Sequence, residues 1–221
     1  LTLTGSVSQL DIAAALAAVE SEPVLVGKAN LALKLKSQGA TSNELLAAMK
    51  GPIKPTTEDA VLYQMDLEKK LCQAVALANR ERLTAEFPSD SPFKALSVDI
   101  KVADGKAKLS PLRARLEAVK LLGTGHFDIL SQDFSATFEA SLSPALAKLD
   151  PACRVNERLT DIDWPVECEG NISEDPADWC GVDSEEILED LAKNEVERQA
   201  KKEIERKLGK DAGKIMDQLF K

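Results

Sequence analysis

A chain of 221 residues can bury a substantial core without help from a metal, and 44% apolar with 29% charged residues is a globular composition. The formal charge of −9 repels a phosphate backbone, and no Lys/Arg-rich stretch with interleaved aromatics occurs along the chain, which excludes nucleic acid as a partner. Aromatic residues make up only 4%, so the core must be built from Leu, Val, Ile and Ala.

Leu1-Thr2-Leu3-Thr4-Gly5 reads as the end of a β-strand entered midway. With no initiator Met and no signal-peptide layout, the chain is read as part of a longer protein, with any membrane anchor upstream. Ser8-Gln9-Leu10-Asp11 opens an Ala/Leu helix over about 10–20. Leu31-Ala32-Leu33-Lys34-Leu35-Lys36 then alternates strictly, as a strand with one apolar and one wet face does. Thr41-Ser42-Asn43-Glu44 opens a second short helix over 41–50. Both helices follow a strand expected to end near Gly5 or Gly39, about 33 positions apart, which suggests a repeated strand-helix unit. A third helix spans 66–82, with Leu67, Leu71, Val75 and Ala78 on one stripe.

Beyond Pro88 and Pro92 alternation returns in Leu96, Val98, Ile100 and Val102, and again in Leu112, Ala114 and Leu116, with Asp104-Gly105 as the hairpin turn between these runs. Gly123-Thr124-Gly125 lacks the third glycine of a dinucleotide loop and reads as a kink or bulge in a strand. Phe127/Ile129 and Phe134/Ala136/Phe138 flank a second hairpin at Ser131-Gln132. Residues 151–182 collect prolines, both tryptophans and three cysteines, and read as an irregular module. From Asp183, with Glu186 as a capping-box partner, a largely solvated helix runs to about 208. The chain ends in an apolar cluster of Ile215, Met216, Leu219 and Phe220, which either folds back on the domain or meets a surface.

The expected fold class is α+β: a twisted antiparallel sheet of about six to eight strands with three short helices over 1–150, a disulfide-stapled module over 151–182, and a C-terminal helical segment over 183–221. Cys72, Cys153, Cys168 and Cys180 match no zinc spacing, and their even number suggests two disulfides formed in an oxidising compartment. Of three possible pairings, Cys168–Cys180 with Cys72–Cys153 is favoured, because a short local loop and one long link would staple the module to the sheet.

Other chemistry is weakly signalled. His126 lies on a strand with no nucleophile context beside it, and no catalytic residue, metal or cofactor is expected. Asp161, Asp163, Glu167, Glu169, Glu174, Asp175 and Asp178 lack calcium-loop spacing and read as a solvated acidic loop. Asn171-Ile172-Ser173 matches a glycosylation acceptor of a kind that recurs by chance.

The run Val26-Gly27-Lys28-Ala29-Asn30-Leu31-Ala32-Leu33-Lys34-Leu35, then Gly39, then Asn43-Glu44-Leu45-Leu46, then Gly51, resembles the repeated signature of AsmA C-terminal regions. Asp66-Leu67 with its helix, Leu96 through Asp104-Gly105 to Gly123-Thr124-Gly125-His126-Phe127-Asp128-Ile129, and Asp161 to Cys168 with Trp179-Cys180 extend the resemblance over essentially the whole chain. Two glycines of the pattern are replaced, by Ala60 and Gln64. The resemblance implies a periplasmic protein anchored to the inner membrane, related to bridge-like lipid-transfer proteins and supporting outer-membrane assembly without enzymatic chemistry.

A groove for phospholipid or another acyl lipid needs a strip of aliphatic side chains on a sheet with satisfied backbone. Leu31, Leu33, Leu35, Val98, Ile100 and Val102 are the candidate lining. Alternation alone favours a core covered by the helices at 10–20, 41–50 and 66–82, and it is the resemblance that raises the groove. The rival is a structural module that docks another envelope protein and carries no lipid site.

Overall fold

The computed structural model describes residues 1–18, 23–160, 162, 164–184, 187–189, 191–194, 196, 199 and 200. The alternating segments become one antiparallel sheet of nine strands in sequence order: β1 (Thr2–Asp11), β2 (Leu25–Lys36), β3 (Gly51–Leu62), β4 (Ser91–Ala103), β5 (Lys106–Arg115), β6 (Val119–Asp128), β7 (Asp133–Leu142), β8 (Trp164–Asn171) and β9 (Cys180–Val182). The expectation of six to eight strands is corrected to nine among the described residues. The extra strands come from 151–182, which is not irregular throughout, since β8 and β9 continue the sheet. Their alternation was hidden by prolines and by the short length of β9.

Turn chemistry places the hairpins. Asp104 and Gly105 have φ of 50° and 74°, the two left-handed residues a tight two-residue hairpin requires, and Gly adopts that region without a Cβ penalty. Between β6 and β7 the Asp128 carboxylate accepts from the Leu130 and Ser131 amides at 3.0 and 3.1 Å. These bonds hold its pKa below the ordinary carboxylate value.

The first helix differs from expectation. β1 runs straight through Gly5, and α1 (Ile12–Ala17) begins only after Asp11, whose Oδ1 accepts from Ala14 N at 3.0 Å. Ser8 therefore caps nothing. Pairing with β2 along Thr2 to Asp11 overrides the local cap signal, and the strand absorbs a bulge where Gln9, at φ 57°, donates its amide to Asn30 Oδ1. The second helix, α2 (Ser42–Ala47), opens at Thr41 as expected, and Thr41 and Glu44 form a reciprocal capping box.

The third helix, α3 (Leu67–Asn79), starts at Asp66, whose side chain accepts from Lys69 N at 3.0 Å. It stops short of 82 because Arg80 turns left-handed at φ 58°. Gln64 has a left-handed φ of 60° and donates its backbone N–H to Asp90 Oδ1.

The main core lies at one end of the sheet. Leu71, Val75 and Cys72 of α3 pack with Phe93, Leu121, Trp164, Val166, Leu146 and Leu159, and Ile187 and Leu191 join them from the C-terminal segment. Trp164 is fully buried and donates its indole N–H to Leu159 O at 3.0 Å. A 3-10 turn at Pro151–Cys153 is tied to α3 by the Cys72–Cys153 disulfide. Cys168 and Cys180, directly opposite in β8 and β9, form the second. Both links are the favoured pairing.

Buried Asp150 precedes the 3-10 turn and accepts from the amides of Thr84, Ala85 and Ala152 at 2.6–2.8 Å. Three such donors hold its carboxyl down at about 2. The described residues of 183–200 include helical turns at 187–189 and 191–194. Glu186, the helix beyond 200 and the Ile215, Met216, Leu219, Phe220 cluster lie outside the described residues.

Candidate functional site: an apolar sheet face

The registers of eight strand pairs superpose the apolar positions of all nine strands. Residues directly opposite in a sheet share a face. One such row runs Gly5, Leu33, Ile53, Ile100, Leu109, Gly125, Ala136, Cys168, Cys180, from β1 to β9. It crosses the whole sheet without a polar side chain. A parallel row runs Leu10, Ala29, Thr57, Leu96, Ala114, Leu121, Ala140, Trp164. Its single hydroxyl, on Thr57, is spent on Lys28 O at 2.7 Å.

All six candidate residues stand on this face. Leu33 and Ile100 are bridged by Ile53, Leu31 opposes Val7 and Pro55, Leu35 opposes Leu3, and Val98 opposes Leu112. Leu31, Leu33, Leu35, Val98 and Ile100 are half-buried, and none belongs to the main core. On β1 the same face is open, with Leu3 54% and Val7 46% exposed. Val102 departs from the set. It is buried to 2%, beside the β4–β5 turn that abuts α2, where a Cβ on Gly105 would sit 3.5 Å from Ala47 Cα.

Where the open face meets the core there is an apolar cavity of about 300 Å³, walled by residues of β2 to β9 and α3, including Leu62, Met65, Phe93, Leu112, Phe134 and Trp179. Phe134 and Trp179 meet edge to face with centroids 5.1 Å apart. The Trp179 indole N–H is buried and has no hydrogen-bond partner among the described residues. Trp179 and Met65 were not legible as lining, because neither sits on an alternating run. Phe134 and Phe138 were legible as strand residues but gave no sign of a cavity.

Gly123 and Gly125 do not kink β6, which pairs regularly with β7 from Val119 to Phe127. The bulge is on β5, where Ser110 and Pro111 together face Thr124. The glycines answer close approach instead: a Cβ on Gly125 would lie 2.7 Å from Ser135 O.

The opposite face is polar. It carries His126 between Lys108 and Ser135, with no carboxylate directly across from it. Glu167 and Glu169 project from this face of β8. Glu174 accepts the Asn171 amide and Asp175 caps a 3-10 turn at Pro176–Asp178, so these acids are spread over separate turns. Asp161 and Asp163 lie outside the described residues. The Asn171 side chain is committed to Ser131 O and Asp133 Oδ1 at 2.7 and 2.8 Å, which ties β8 to the β6–β7 turn.

Among the described residues no helix is long and apolar enough to cross a membrane. Comparison with protein-family models, curated proteins and solved structures finds no match to this chain.

Proposed function

We propose that the chain is a non-enzymatic lipid-handling module of the periplasm, whose apolar face forms a groove that binds or passes phospholipid acyl chains. The observation that carries this reading is the apolar face that crosses nine strands, exposed on β1 at Leu3 and Val7 and half-buried at Leu33 and Ile53, while it is packed at the other end. A face built only to be a core would be covered along its length, because leaving aliphatic area in water costs about 25 cal/mol per Å². The adjoining apolar cavity of about 300 Å³ matches the lower end of small-molecule sites.

Two disulfides are compatible with an oxidising compartment. The resemblance to AsmA C-terminal regions adds the inner-membrane anchor, upstream of this segment, and the link to outer-membrane assembly. The docking of another envelope protein on the same face is the competing reading, and one experiment separates the two.

Native mass spectrometry of the unreduced chain, purified from an oxidising periplasm and followed by lipid extraction, should show stoichiometric phospholipid. Leu33→Asp and Ile100→Asp variants that keep the wild-type circular dichroism should lose it. A bare polypeptide mass for the wild type would overturn the lipid reading.

A further inference from the structure

The outer, polar face of the sheet has its own organisation. Residues 1–149 hold 17 basic and 17 acidic side chains, whereas 150–200 hold 4 and 16, so the negative charge of the chain is concentrated in its later part. The sheet divides the remainder by face. Lys101 of β4 lies directly opposite Lys108 of β5, and Arg115 of β5 directly opposite Lys120 of β6. Like charges so placed destabilise a sheet, and a chain with 37 carboxylates has ample acid to neutralise them.

It does not do so. Among the described residues none of Lys101, Lys108, Arg113, Arg115 and Lys120 is in an ion pair, although Asp99 nearby is held by Lys54 at 3.2 Å. Arg113 faces Leu122 across the β5–β6 pair, and Leu122 is 51% exposed on this otherwise polar surface. Lys34 and Lys36 carry the same sign onto β2. Acids flank the patch on both sides: Asp99 is paired with Lys54 and Glu58 is in register with Arg115 across Ala95, while on β7 and β8 Glu139 stands opposite Leu122 and Glu167 and Glu169 follow.

We propose that the outer face of β4 to β6 docks on an anionic lipid bilayer, with the five cations over the headgroups and Leu122 entering the acyl boundary. Three features favour a bilayer over a folded acidic partner or a nucleic acid. The cations are spread over three strands and more than 20 Å of β5, roughly seven residues at 3.3 Å each, which suits a planar array of charge. Their long stems can lie flat while the heads stay wet. The face offers no aromatic anchor of the kind a protein interface core or a stacked base needs, but an exposed leucine beside Arg113, with Glu139 on its other side, at the edge of a cationic patch is compatible with interfacial membrane binding.

This surface is opposite the apolar face, so the two proposals stand or fall separately. The test is co-sedimentation with vesicles of phosphatidylcholine containing phosphatidylglycerol, against phosphatidylcholine alone, at low and high salt. The wild type should bind the anionic vesicles at low salt only. With each cation near an anionic surface worth about a factor of five in partition, replacing three should weaken binding on the order of 100-fold in an Arg113→Ala, Arg115→Ala, Lys120→Ala variant. The Arg113→Lys, Arg115→Lys variant should bind as the wild type does, and Leu122→Asp should bind several-fold less.

All of these positions are solvent-facing, and an unchanged melting curve for each variant shows that the fold is intact. Leu33→Asp should leave vesicle binding unchanged. No binding of the wild type to anionic vesicles, equal binding by the triple alanine variant, or loss with Leu33→Asp in place of the cation variants would each overturn the proposal.

Discussion

The two ends of the apolar face carry the same alternation and meet different fates. Over β6 to β8, Leu121, Ala140, Trp164 and Val166 lie beneath α3 and the disulfide-linked 3-10 turn and are buried. Over β1 and β2, Leu3, Val7, Leu31, Leu33 and Leu35 have the same register and remain half or fully open. The difference shows that an apolar strand face is a demand for cover, and that which part is covered depends on where the chain inserts a long helix. The 13-residue α3 with its disulfide meets that demand at one end, and nothing comparable lies on the other among the described residues.

The sharpest break of this contrast is to unfasten the covered end. Loss of Cys72–Cys153, which closes a loop of 81 residues, should lower unfolding free energy by about 4.5 kcal/mol in the chain-entropy treatment, and loss of Cys168–Cys180 by about 3 kcal/mol. Denaturant titration of the two double-serine variants gives this ordering, and the reverse ordering would mean that the long link does not hold α3 down. Trp164→Ala should cost about 3–5 kcal/mol at the covered end. It removes a fully buried side chain and orphans Leu159 O.

Acid probes the same end by another route. The Asp150 carboxyl sits at about 2 against an ordinary 3.8, so between those values the unfolded chain binds more protons than the folded one. Its contribution is therefore complete above the ordinary value and is lost as pH falls through about 2. In Asp150→Asn the melting temperature should be lower at neutral pH and should fall less steeply on acidification. An unchanged acid limb would show that the three backbone donors at Thr84, Ala85 and Ala152 do not depend on the charge.

The smallest effect belongs to the open end. Leu33→Ala should cost about 1 kcal/mol or less, because a half-exposed leucine gives up only part of its transfer free energy. A cost approaching that of Trp164→Ala would mean that Leu33 is covered in solution, by a partner or by another part of the chain.

Much of this was legible before the fold. The runs at Leu31–Lys36 and Leu96–Val102 fell on strands with their aliphatic side chains on one face, and Asp104-Gly105 made the hairpin it announced. Thr41 opened its helix as read, since a cap is decided within four residues. Ser8 misled for the opposite reason: a local cap competes with ten residues of pairing to β2, and the pairing wins. β9 was invisible because three residues carry no period, and Val102 separated from its neighbours because burial depends on what packs at the sheet end.

The outer cationic surface was equally hidden, since Lys101, Lys108, Arg113, Arg115 and Lys120 never form a run and become a patch only when β4, β5 and β6 lie side by side. Sequence alone therefore determined the two-sidedness of each strand, the turn positions and an even set of cysteines, because these depend on period and nearest neighbours. The tertiary structure decided which aliphatic stretch is covered, which cysteines meet and where unlike strands pool their charge, because those follow from contacts between residues tens of positions apart.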